Sequence, residues 1–190
     1  MCGFAGFVGE VENREQVLEN MIDTIIHRGP DSSGKFVDED AALGFRRLSI
    51  IDLSESGDQP LYNEDRSKVL VFNGEIYNYQ ELREELIQAG HTFVSNTDSE
   101  TLIHGYEQWG EELVYRLRGM YAFAIWDQKA KRLFSARDIF GIKPLYYAQM
   151  NGTLMFGSEI KSFLEHPKFD KVFNEDALGN YLDRKSTRLN

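Results

Sequence analysis

The sequence predicts a layered α+β domain built on antiparallel sheets. Short apolar strand patterns lie on both sides of two helical patterns in the 190-residue chain, which is typical of layered α+β domains. An Asn-Gly pair at 151–152 between two apolar runs is a strong hairpin signal. Hydrophobic residues make up 42% of the chain, so one domain with a sizeable core is expected.

In the first part of the chain, residues 3–8 (GFAGFV) are predicted to form a buried strand. Residues 14–26 are predicted to form a helix, and the following Gly29 and Pro30 are expected to stop it. The helical spacing there is carried by Val17, Leu18, Met21, Ile22, Ile25 and Ile26. Residues 41–52 indicate a strand pair or a strand and turn, and KVLVF at 68–72 indicates a strand.

Two further helices are predicted after this strand. The first follows Asn78, which has capping-box spacing with Glu81, and continues to Gly90 with Leu82, Leu86 and Ile87 as its apolar stripe. The second spans about 99–109, and its predicted inward residues are Leu102, Ile103, Tyr106 and Trp109.

From residue 120 the pattern is β. The predicted strands are YAFAIWD (121–127), RLFSARD (132–138), KPLYYAQ (143–149) and TLMFGSE (153–159). We expect the domain to comprise residues 2–165. The remaining segment, 166–190, ends in the aperiodic RKSTRLN, and we interpret it as the truncated start of a linker or further region with an artificial tail.

Composition excludes several classes of function. A net charge of −10 repels phosphate backbones, so nucleic acid is a poor partner. No apolar run approaches the roughly 18 residues of a membrane span, and the N-terminus lacks the basic region of a secretion signal. A single cysteine permits no internal disulfide, which fits a cytoplasmic protein. No metal site is predicted, because the histidines at 27, 91, 104 and 166 lack metal-ligand spacing.

The N-terminus carries the strongest chemical signal. Removal of Met1 before the small residue Cys2 would leave a thiol and a free α-amine on one residue. The amine has a pKa of about 7.7–8.0, so it can act as a base beside a strongly nucleophilic thiol. Gly3 allows close backbone approach, and the following FAGFV would fix the terminus as the end of an internal strand.

Eight short segments stand out along the chain: MCGFAGF, HRGPDSSG (27–34), RLSIID (47–52), QPL (59–61), NGEIYN (73–78), TDSE (97–100), RDIFGIKPLYY (137–147) and GSEIKS (157–162). In this order they resemble class II glutamine amidotransferase domains. Most similar among these is the N-terminal glutaminase domain of glutamine-hydrolysing asparagine synthetases, over about residues 2–165.

This resemblance implies a fold and a site. The fold is the N-terminal-nucleophile four-layer αββα sandwich with two antiparallel sheets. The implied catalytic residues are Cys2, Asn73 and Gly74, with the last two forming an oxyanion hole. The implied substrate-binding residues are Arg47, Leu48, Ile50, Ile51, Glu75 and Asp98. Arg47 would hold the α-carboxylate of glutamine, and Glu75 and Asp98 would hold its α-ammonium.

Each of these assignments has a structural alternative. Arg46 and Arg47 point to opposite faces of a strand, so the one outside the pocket is expected to be solvated, and the resemblance selects Arg47 for the pocket. The pair Asn73–Gly74, which ends the KVLVF strand, can be read as a simple turn. Asp98 occupies a position suited to a helix N-cap.

Other polar motif residues are interpreted as structural. Arg28 with Asp31, and Arg137 with Asp138, are expected to form buried ion pairs that shape the pocket wall. Trp109 and Trp126 are interpreted as core residues.

The resulting functional hypothesis is hydrolysis of L-glutamine to glutamate and ammonia, without metal or organic cofactor. The resemblance implies a C-terminal synthetase domain that uses ATP and Mg²⁺ to make asparagine from aspartate; no part of this sequence resembles it. Two alternatives stay open: a related amidotransferase with another acceptor, or a non-catalytic glutamine-binding domain if Met1 is retained. A homodimer is also left open.

Overall fold

Two antiparallel sheets form the middle of the protein in a computed structural model that describes residues 2–48, 58–172, 175, 176 and 178. The strands are Gly3–Val8 (β1), Ser32–Val37 (β2), Ala41–Arg47 (β3), Leu61–Tyr62 (β4), Lys68–Ile76 (β5), Gly119–Asp127 (β6), Arg132–Arg137 (β7), Tyr146–Met150 (β8) and Thr153–Gly157 (β9). The first sheet has the order β2-β3-β1-β9-β8, and the second has the order β4-β5-β6-β7.

Helices cover the outer faces of both sheets. They are Arg14–Asp23 (α1), Tyr79–Gln88 (α2), Asp98–Trp109 (α3) and the short Leu113–Arg116 (α4). Helix α1 packs on the first sheet, where Leu18 and Ile22 meet Phe7 of β1. Helices α2 and α3 pack on the second sheet, where Leu82 and Ile103 belong to one cluster with residues of β5 and β6. The predicted αββα sandwich is therefore confirmed.

A third apolar cluster fills the space between the two sheets. Because side chains alternate between the two faces of a strand, every second residue of β1 and β3 points inward, among them Phe4 and Phe45. They meet Val71 of β5 and Trp126 of β6, which are also buried. Full burial of one such side chain contributes about 1.5–3 kcal/mol. Cys2 packs on the margin of this inter-sheet cluster.

The predicted strands are all present, with shifted ends. The Asn151–Gly152 hairpin is confirmed: β8 and β9 pair antiparallel around it, and both turn residues have positive φ, 50° and 74°. The largest difference concerns β5, which continues to Ile76 instead of ending at Asn73. Of the predicted range 41–52, residues Ala41–Arg47 form the single strand β3, and residues 49–52 lie outside the described residues.

The helix ends differ more from prediction. Helix α1 ends at Asp23, and a 3-10 turn at Ile26–Arg28 follows, which leaves Ile26 half-exposed. Ile87 of α2 is also half-exposed. Trp126 is a core residue as predicted, whereas Trp109 is half-buried at the edge of its cluster.

The predicted capping box at α2 is wrong. The side chain of Asn78 makes no capping hydrogen bond. Its Nδ2 donates to the carbonyl of Arg116 at 2.9 Å, and its Oδ1 accepts the N–H of Arg118 at 2.9 Å. Asn78 therefore ties the start of α2 to the segment between α4 and β6.

Among the described residues, no helix is long and apolar enough to cross a bilayer. Of the predicted C-terminal segment, residues 173, 174, 177 and 179–190 lie outside the described residues, as does Met1. The predicted domain boundary at residue 165 stays a prediction.

Candidate active site

Cys2 lies immediately before β1, at the margin of the inter-sheet cluster. The register of β1 and β3 pairs Gly3 with Arg46, so one more step along both strands places Cys2 opposite Arg47. The thiol contacts the backbone just after β3: Leu48 N–H donates to Sγ at 3.5 Å, and Leu48 O accepts from the thiol at 3.7 Å. Strand pairing thus fixes the terminus as the sequence predicts.

Arg28 holds the backbone of Cys2 from the other side. Its Nε donates to the Cys2 carbonyl at 3.0 Å, and its Nη1 bonds Glu159 at 3.2 Å. A Cβ added to Gly3 would lie 2.8 Å from the Arg28 side chain, so the glycine permits this close approach. The ion-pair partner of Arg28 is therefore Glu159, and not Asp31 as the sequence analysis expected.

Glu159 is the centre of a small charged group beside the terminus. Burial alone would raise its pKa, but hydrogen bonds from His27, Arg28 and Lys161 lower it below the ordinary value. The carboxylate is therefore ionised at neutral pH, which keeps Arg28 and the Cys2 carbonyl in place. Glu159 lies in the quoted motif GSEIKS, but no role was predicted for it from the sequence.

Arg47 and Arg46 leave β3 on opposite faces. Arg47 is buried on the inter-sheet side, and its Nη1 donates to Asp58 Oδ1 at 2.8 Å. Arg46 points outward to the end of α1, where it bonds the Ile22 carbonyl at 3.3 Å and pairs with Asp23. The predicted division of faces is confirmed. Arg46 is not solvated as expected, because its side chain is only 11% exposed.

Asn73 comes to the same inter-sheet layer from the second sheet. Residues 69, 71 and 73 of β5 alternate onto the inner face, and β1 and β5 are in contact across it. Asn73 is 3% exposed, and its Nδ2 has no hydrogen-bond partner in the described part of the protein. The pair Asn73–Gly74 is not a turn, since it lies inside β5 opposite Ala122 and Tyr121.

The backbone N–H of Gly74 points to the edge of β5 that faces away from β6. Along a strand, alternate N–H groups share an edge. The N–H of Phe72 donates to Gln59 Oε1 at 2.6 Å, and that of Ile76 donates to Asp98 Oδ2 at 2.9 Å. Both acceptors lie away from β6, so the Gly74 N–H between them faces the same way. A Cβ on Gly74 would lie 2.3 Å from the Met120 carbonyl.

Asp98 is the first residue of α3, and Thr97 occupies the N-cap position that the sequence assigned to Asp98. Burial raises the pKa of Asp98 above its ordinary value, and the negative charge of Glu75 adds to this, while hydrogen bonds from Ile76 and neighbouring N–H groups oppose it. Glu75 lies on β5 two residues after Asn73 and is exposed. The two acids therefore form a partly desolvated negative pair that favours a bound cation.

Of the three remaining predicted site residues, only Leu48 lies in the described part of the protein. Leu48 contacts the Cys2 thiol through its backbone, as described above. Ile50 and Ile51 lie outside the described residues.

The expected ion pair of Arg137 and Asp138 is wrong. Asp138 is buried, and its carboxylate accepts four backbone N–H groups, those of Tyr121, Phe140, Ile142 and Lys143. Burial alone would raise its pKa, but these bonds lower it below the ordinary value. Arg137 instead bonds the carbonyls of Gly141 and Lys143. Together the two residues fold the loop between β7 and β8.

Two supporting residues were missed by sequence reasoning. Gln59 bonds both backbone groups of Phe72 and so takes the place of a further strand beside β5. Asp58 holds Arg47. Gln59 stood in the quoted motif QPL, but Asp58 had no signal, because its partner lies eleven residues away across the sheet edge.

Comparison with known proteins places these features in a family. The glutamine amidotransferase domain family matches residues 1–190. Asparagine synthetase (glutamine-hydrolyzing) 1 of Bacillus subtilis (strain 168) is 46% identical over 187 residues, 96% of this chain and 29% of that protein. Asparagine synthetase (glutamine-hydrolyzing) of Zea mays is 44% identical over 167 residues, 85% of this chain and 28% of that protein.

Solved structures support the same fold. The glutamine phosphoribosylpyrophosphate amidotransferase of B. subtilis has a TM-score of 0.72 at 23% identity, over 85% of this chain and 43% of that one. The allosteric regulatory enzyme of purine biosynthesis has a TM-score of 0.75 at 22% identity, over 86% and 43%.

The chain belongs to the glutamine amidotransferase domain family, with the fold of N-terminal-nucleophile amidotransferases. It spans less than a third of the length of the asparagine synthetases that it matches.

Proposed function

We propose that this domain hydrolyses L-glutamine to glutamate and ammonia, with the thiol of Cys2 as the nucleophile. The main supporting observation is the unpartnered Nδ2 of Asn73, buried in the layer where Cys2 and Arg47 also lie. A donor held in place without an acceptor is suited to bind an oxyanion that forms only during reaction. The side-chain amide of Asn73 and the N–H of Gly74 would supply this oxyanion hole.

The reaction divides into two balanced steps. In the first, Cys2 Sγ adds to the carboxamide carbon while the α-amine of Cys2 takes the thiol proton. The tetrahedral intermediate collapses, the C–N bond breaks, and the α-amine returns the proton to the leaving ammonia. In the second, water adds to the thioester carbon and passes a proton to the α-amine, the C–S bond breaks, and the α-amine returns the proton to Sγ as glutamate leaves. No metal or organic cofactor takes part in this proposal.

Recognition of glutamine rests on the charges at the two ends of the site. Arg47 can bind the α-carboxylate with a planar guanidinium. Asp98 and Glu75 can bind the α-ammonium, and the cation would offset the cost of keeping the partly buried Asp98 ionised. Backbone groups of Leu48, Ile50 and Ile51 are proposed to line the pocket.

An electrophilic glutamine analogue, such as a diazoketone, tests the nucleophile. We expect its mass to appear on the N-terminal peptide, and we expect Cys2→Ala to lose both the label and all glutaminase activity while keeping its circular dichroism spectrum. Labelling at another residue, or activity in the folded Cys2→Ala variant, would contradict the proposal.

Processing of Met1 provides a separate test, because a blocked amine cannot act as the base. Intact-mass analysis of active protein should show that Met1 is absent. A homogeneous preparation that retains Met1 and still turns over glutamine normally would show that another group is the base. Inactive protein that retains Met1 but binds glutamine would fit the alternative, a glutamine-binding domain.

We further propose that the ammonia passes to an ATP- and Mg²⁺-dependent synthetase domain that makes asparagine from aspartate. The relatives are glutamine-hydrolysing asparagine synthetases more than three times as long as this chain. The loop after β7 exposes Ile139, Phe140 and Ile142, and the following strand β8 exposes Tyr147. Each is more than half accessible, and exposed apolar side chains of this kind are typical of an interface. A reducing cytoplasm, which keeps Cys2 reduced, is the proposed location.

The coding sequence beyond residue 190 tests this second proposal. It should encode a synthetase domain, and the full-length product should form asparagine from aspartate and glutamine only when ATP is present. A different acceptor domain, or a stop codon directly after residue 190, would contradict it without affecting the glutaminase proposal.

A further inference from the structure

Two histidines and a glutamate meet on the outer helical layer of the second sheet, away from the inter-sheet layer. His104 and Glu107 are one turn apart on α3, so their side chains share a face of the helix. His91 lies beyond the end of α2 and brings its ring to 5.2 Å from that of His104, centroid to centroid. The sequence predicts no metal site, because these histidines lack ligand spacing along the chain, and that prediction stays untested; the grouping arises from the packing of the helical layer.

The donor atoms of these three residues are close enough to share one ion. His104 Nδ1 lies 3.2 Å from Glu107 Oε2, and His91 Nδ1 lies 3.8 Å from the same oxygen. One ligand atom from each residue lies within 4.8 Å of the others. Two ligands of a tetrahedral zinc ion, each bound at about 2.0–2.1 Å, are about 3.3 Å apart. Small side-chain rotations would therefore close the site.

Polar neighbours lie close to the opposite atom of each candidate ligand, and two of the three atoms are hydrogen-bonded. His91 Nε2 bonds Gln108 Oε1 at 3.1 Å, and His104 Nε2 lies 3.6 Å from Glu100 Oε1. The second oxygen of Glu107 accepts from Asn63 Nδ2 at 2.7 Å. Metal-binding histidines usually donate their other N–H to such acceptors, which fixes the ring orientation and the tautomer.

A fourth ligand and a route to solvent are also present. Glu64 Oε1 lies 3.9 Å from His104 Nδ1, and its side chain is half-exposed. A cavity of about 450 Å³ opens beside the cluster and is lined by Glu64, Glu100 and His104, among others. Either Glu64 or a water molecule from this cavity could complete a tetrahedral set.

We propose that His91, His104 and Glu107 bind a divalent transition-metal ion, with Glu64 or water as the fourth ligand. Two imidazoles and a carboxylate suit Zn²⁺ better than Mg²⁺ or Ca²⁺, which prefer oxygen ligands. The ion would join α3 to the segment after α2. It lies on the other face of the second sheet from Asn73, so it takes no part in the glutamine chemistry proposed above.

The test is an isothermal calorimetric titration of the 190-residue chain with Zn²⁺. The protein should carry no affinity tag and should first be treated with a chelator. A Cys2→Ala background is needed, because a terminal thiol and amine could themselves bind zinc. We expect one saturable site per chain. With Co²⁺ as a second probe, the visible absorption bands should have the intensity of a four-coordinate ion without a thiolate band.

Variants then assign the site. We expect His91→Gln and Glu107→Gln each to weaken Zn²⁺ binding by about tenfold or more, since even changes outside the ligands cost about 10–100-fold. The matched control is His27→Gln: His27 also bonds a glutamate, Glu159 at 2.9 Å, but belongs to the group beside Cys2. It should bind Zn²⁺ as the parent does.

Two results would overturn the proposal. The first is the absence of saturable Zn²⁺ binding in the folded Cys2→Ala protein. The second is unchanged affinity in His91→Gln, whose half-buried side chain can be replaced without opening the core. Because binding is read directly, the outcome does not depend on whether the domain hydrolyses glutamine.

Discussion

Two buried asparagines, one in the turn between β4 and β5 and one within β5, differ in how their side-chain amides are bonded. Asn63 follows β4 and is 5% exposed, whereas Asn73 lies within β5 and is 3% exposed. The amide of Asn63 is fully bonded, donating through Nδ2 and accepting through Oδ1; its partners are Asp65, Ser67, Glu107 and the N–H of Lys68. The Nδ2 of Asn73 has no partner among the described residues.

Under the proposed function, this difference separates a structural asparagine, Asn63, from the proposed oxyanion donor, Asn73. An unsatisfied buried donor costs about 1–3 kcal/mol, so a fold normally bonds every such group. Asn63 follows this rule and organises the turn into β5. Asn73 breaks it at the margin of the layer that also holds Cys2 and Arg47, where an oxyanion would supply the missing acceptor.

Replacing Asn73 with alanine should therefore lower the catalytic rate, whereas replacing Asn63 should lower the stability of the fold. We expect Asn73→Ala to lower kcat for glutamine hydrolysis by about 10²–10³, the usual cost of one oxyanion donor, with little change in KM. Asn63→Ala should leave kcat nearly unchanged but lower the free energy of unfolding by about 1–3 kcal/mol, because it leaves buried partners unsatisfied.

Steady-state kinetics and urea unfolding of both variants decide between these roles. A pure KM effect in Asn73→Ala would mean that Asn73 binds the ground-state substrate. A loss of stability in Asn73→Ala equal to that in Asn63→Ala would remove the distinction altogether.

The layered α+β class could be predicted because the core strands are marked locally, whereas the four-layer sandwich was implied by the family resemblance. Apolar runs and one Asn-Gly turn identified the strands without any knowledge of their partners. The same signal failed at β5, where Asn73, Gly74 and Glu75 are too polar to continue an apolar run, although the backbone still pairs with β6. The strand was therefore predicted to end where the proposed site residues of β5 begin.

Contacts between distant segments could not be predicted from local patterns. Asn78 has capping-box spacing, but its amide bonds the segment before β6, which tertiary packing brings alongside. Arg46 was expected in solvent, yet the end of α1 supplies Ile22 and Asp23 as partners. The meeting of His91 with His104 depends in the same way on how α2 packs against α3.

The two neighbouring arginines of β3 offer a second comparison, between a proposed substrate-binding residue and a structural one. Arg47→Lys should raise KM for glutamine by about tenfold, because lysine cannot form a bidentate pair with the α-carboxylate. The change in kcat should be smaller if the carboxylate is bound equally in the ground and transition states. Arg46→Lys should leave KM unchanged, with at most a modest loss of stability, because it contacts only the end of α1.

Parallel kinetics of the two lysine variants, with circular dichroism to confirm folding, measure this contrast. If Arg46→Lys raises KM and Arg47→Lys does not, the face assignment for substrate binding is wrong. The pocket contacts proposed for Leu48, Ile50 and Ile51 would then fall with it.

The smallest expected effect concerns the pH dependence of the ammonium subsite. Burial, aided by the charge of Glu75, raises the pKa of Asp98 in the free protein. A raised pKa means that the folded state favours the protonated acid. The stabilising contribution from this proton is fully present below the unfolded pKa of about 3.9, and it is lost as pH rises through the higher folded pKa. Ionised Asp98 therefore costs stability at neutral pH unless a cation binds it.

Substrate binding should show the reverse dependence. As pH falls through the raised pKa, Asp98 becomes neutral and loses its attraction for the α-ammonium of glutamine, so KM should rise in the acid range. The effect is the smallest of the three because one contact is weakened over only part of its titration. KM is the proper measure, since protonation of the Cys2 α-amine should act mainly on kcat. We expect Asp98→Asn to have a high KM without this acid rise, whereas Glu75→Gln should keep the rise and shift it to lower pH, because a like charge has been removed. An acid rise in KM that persists unchanged in a folded Asp98→Asn variant would assign the titration, and the ammonium contact, to another group.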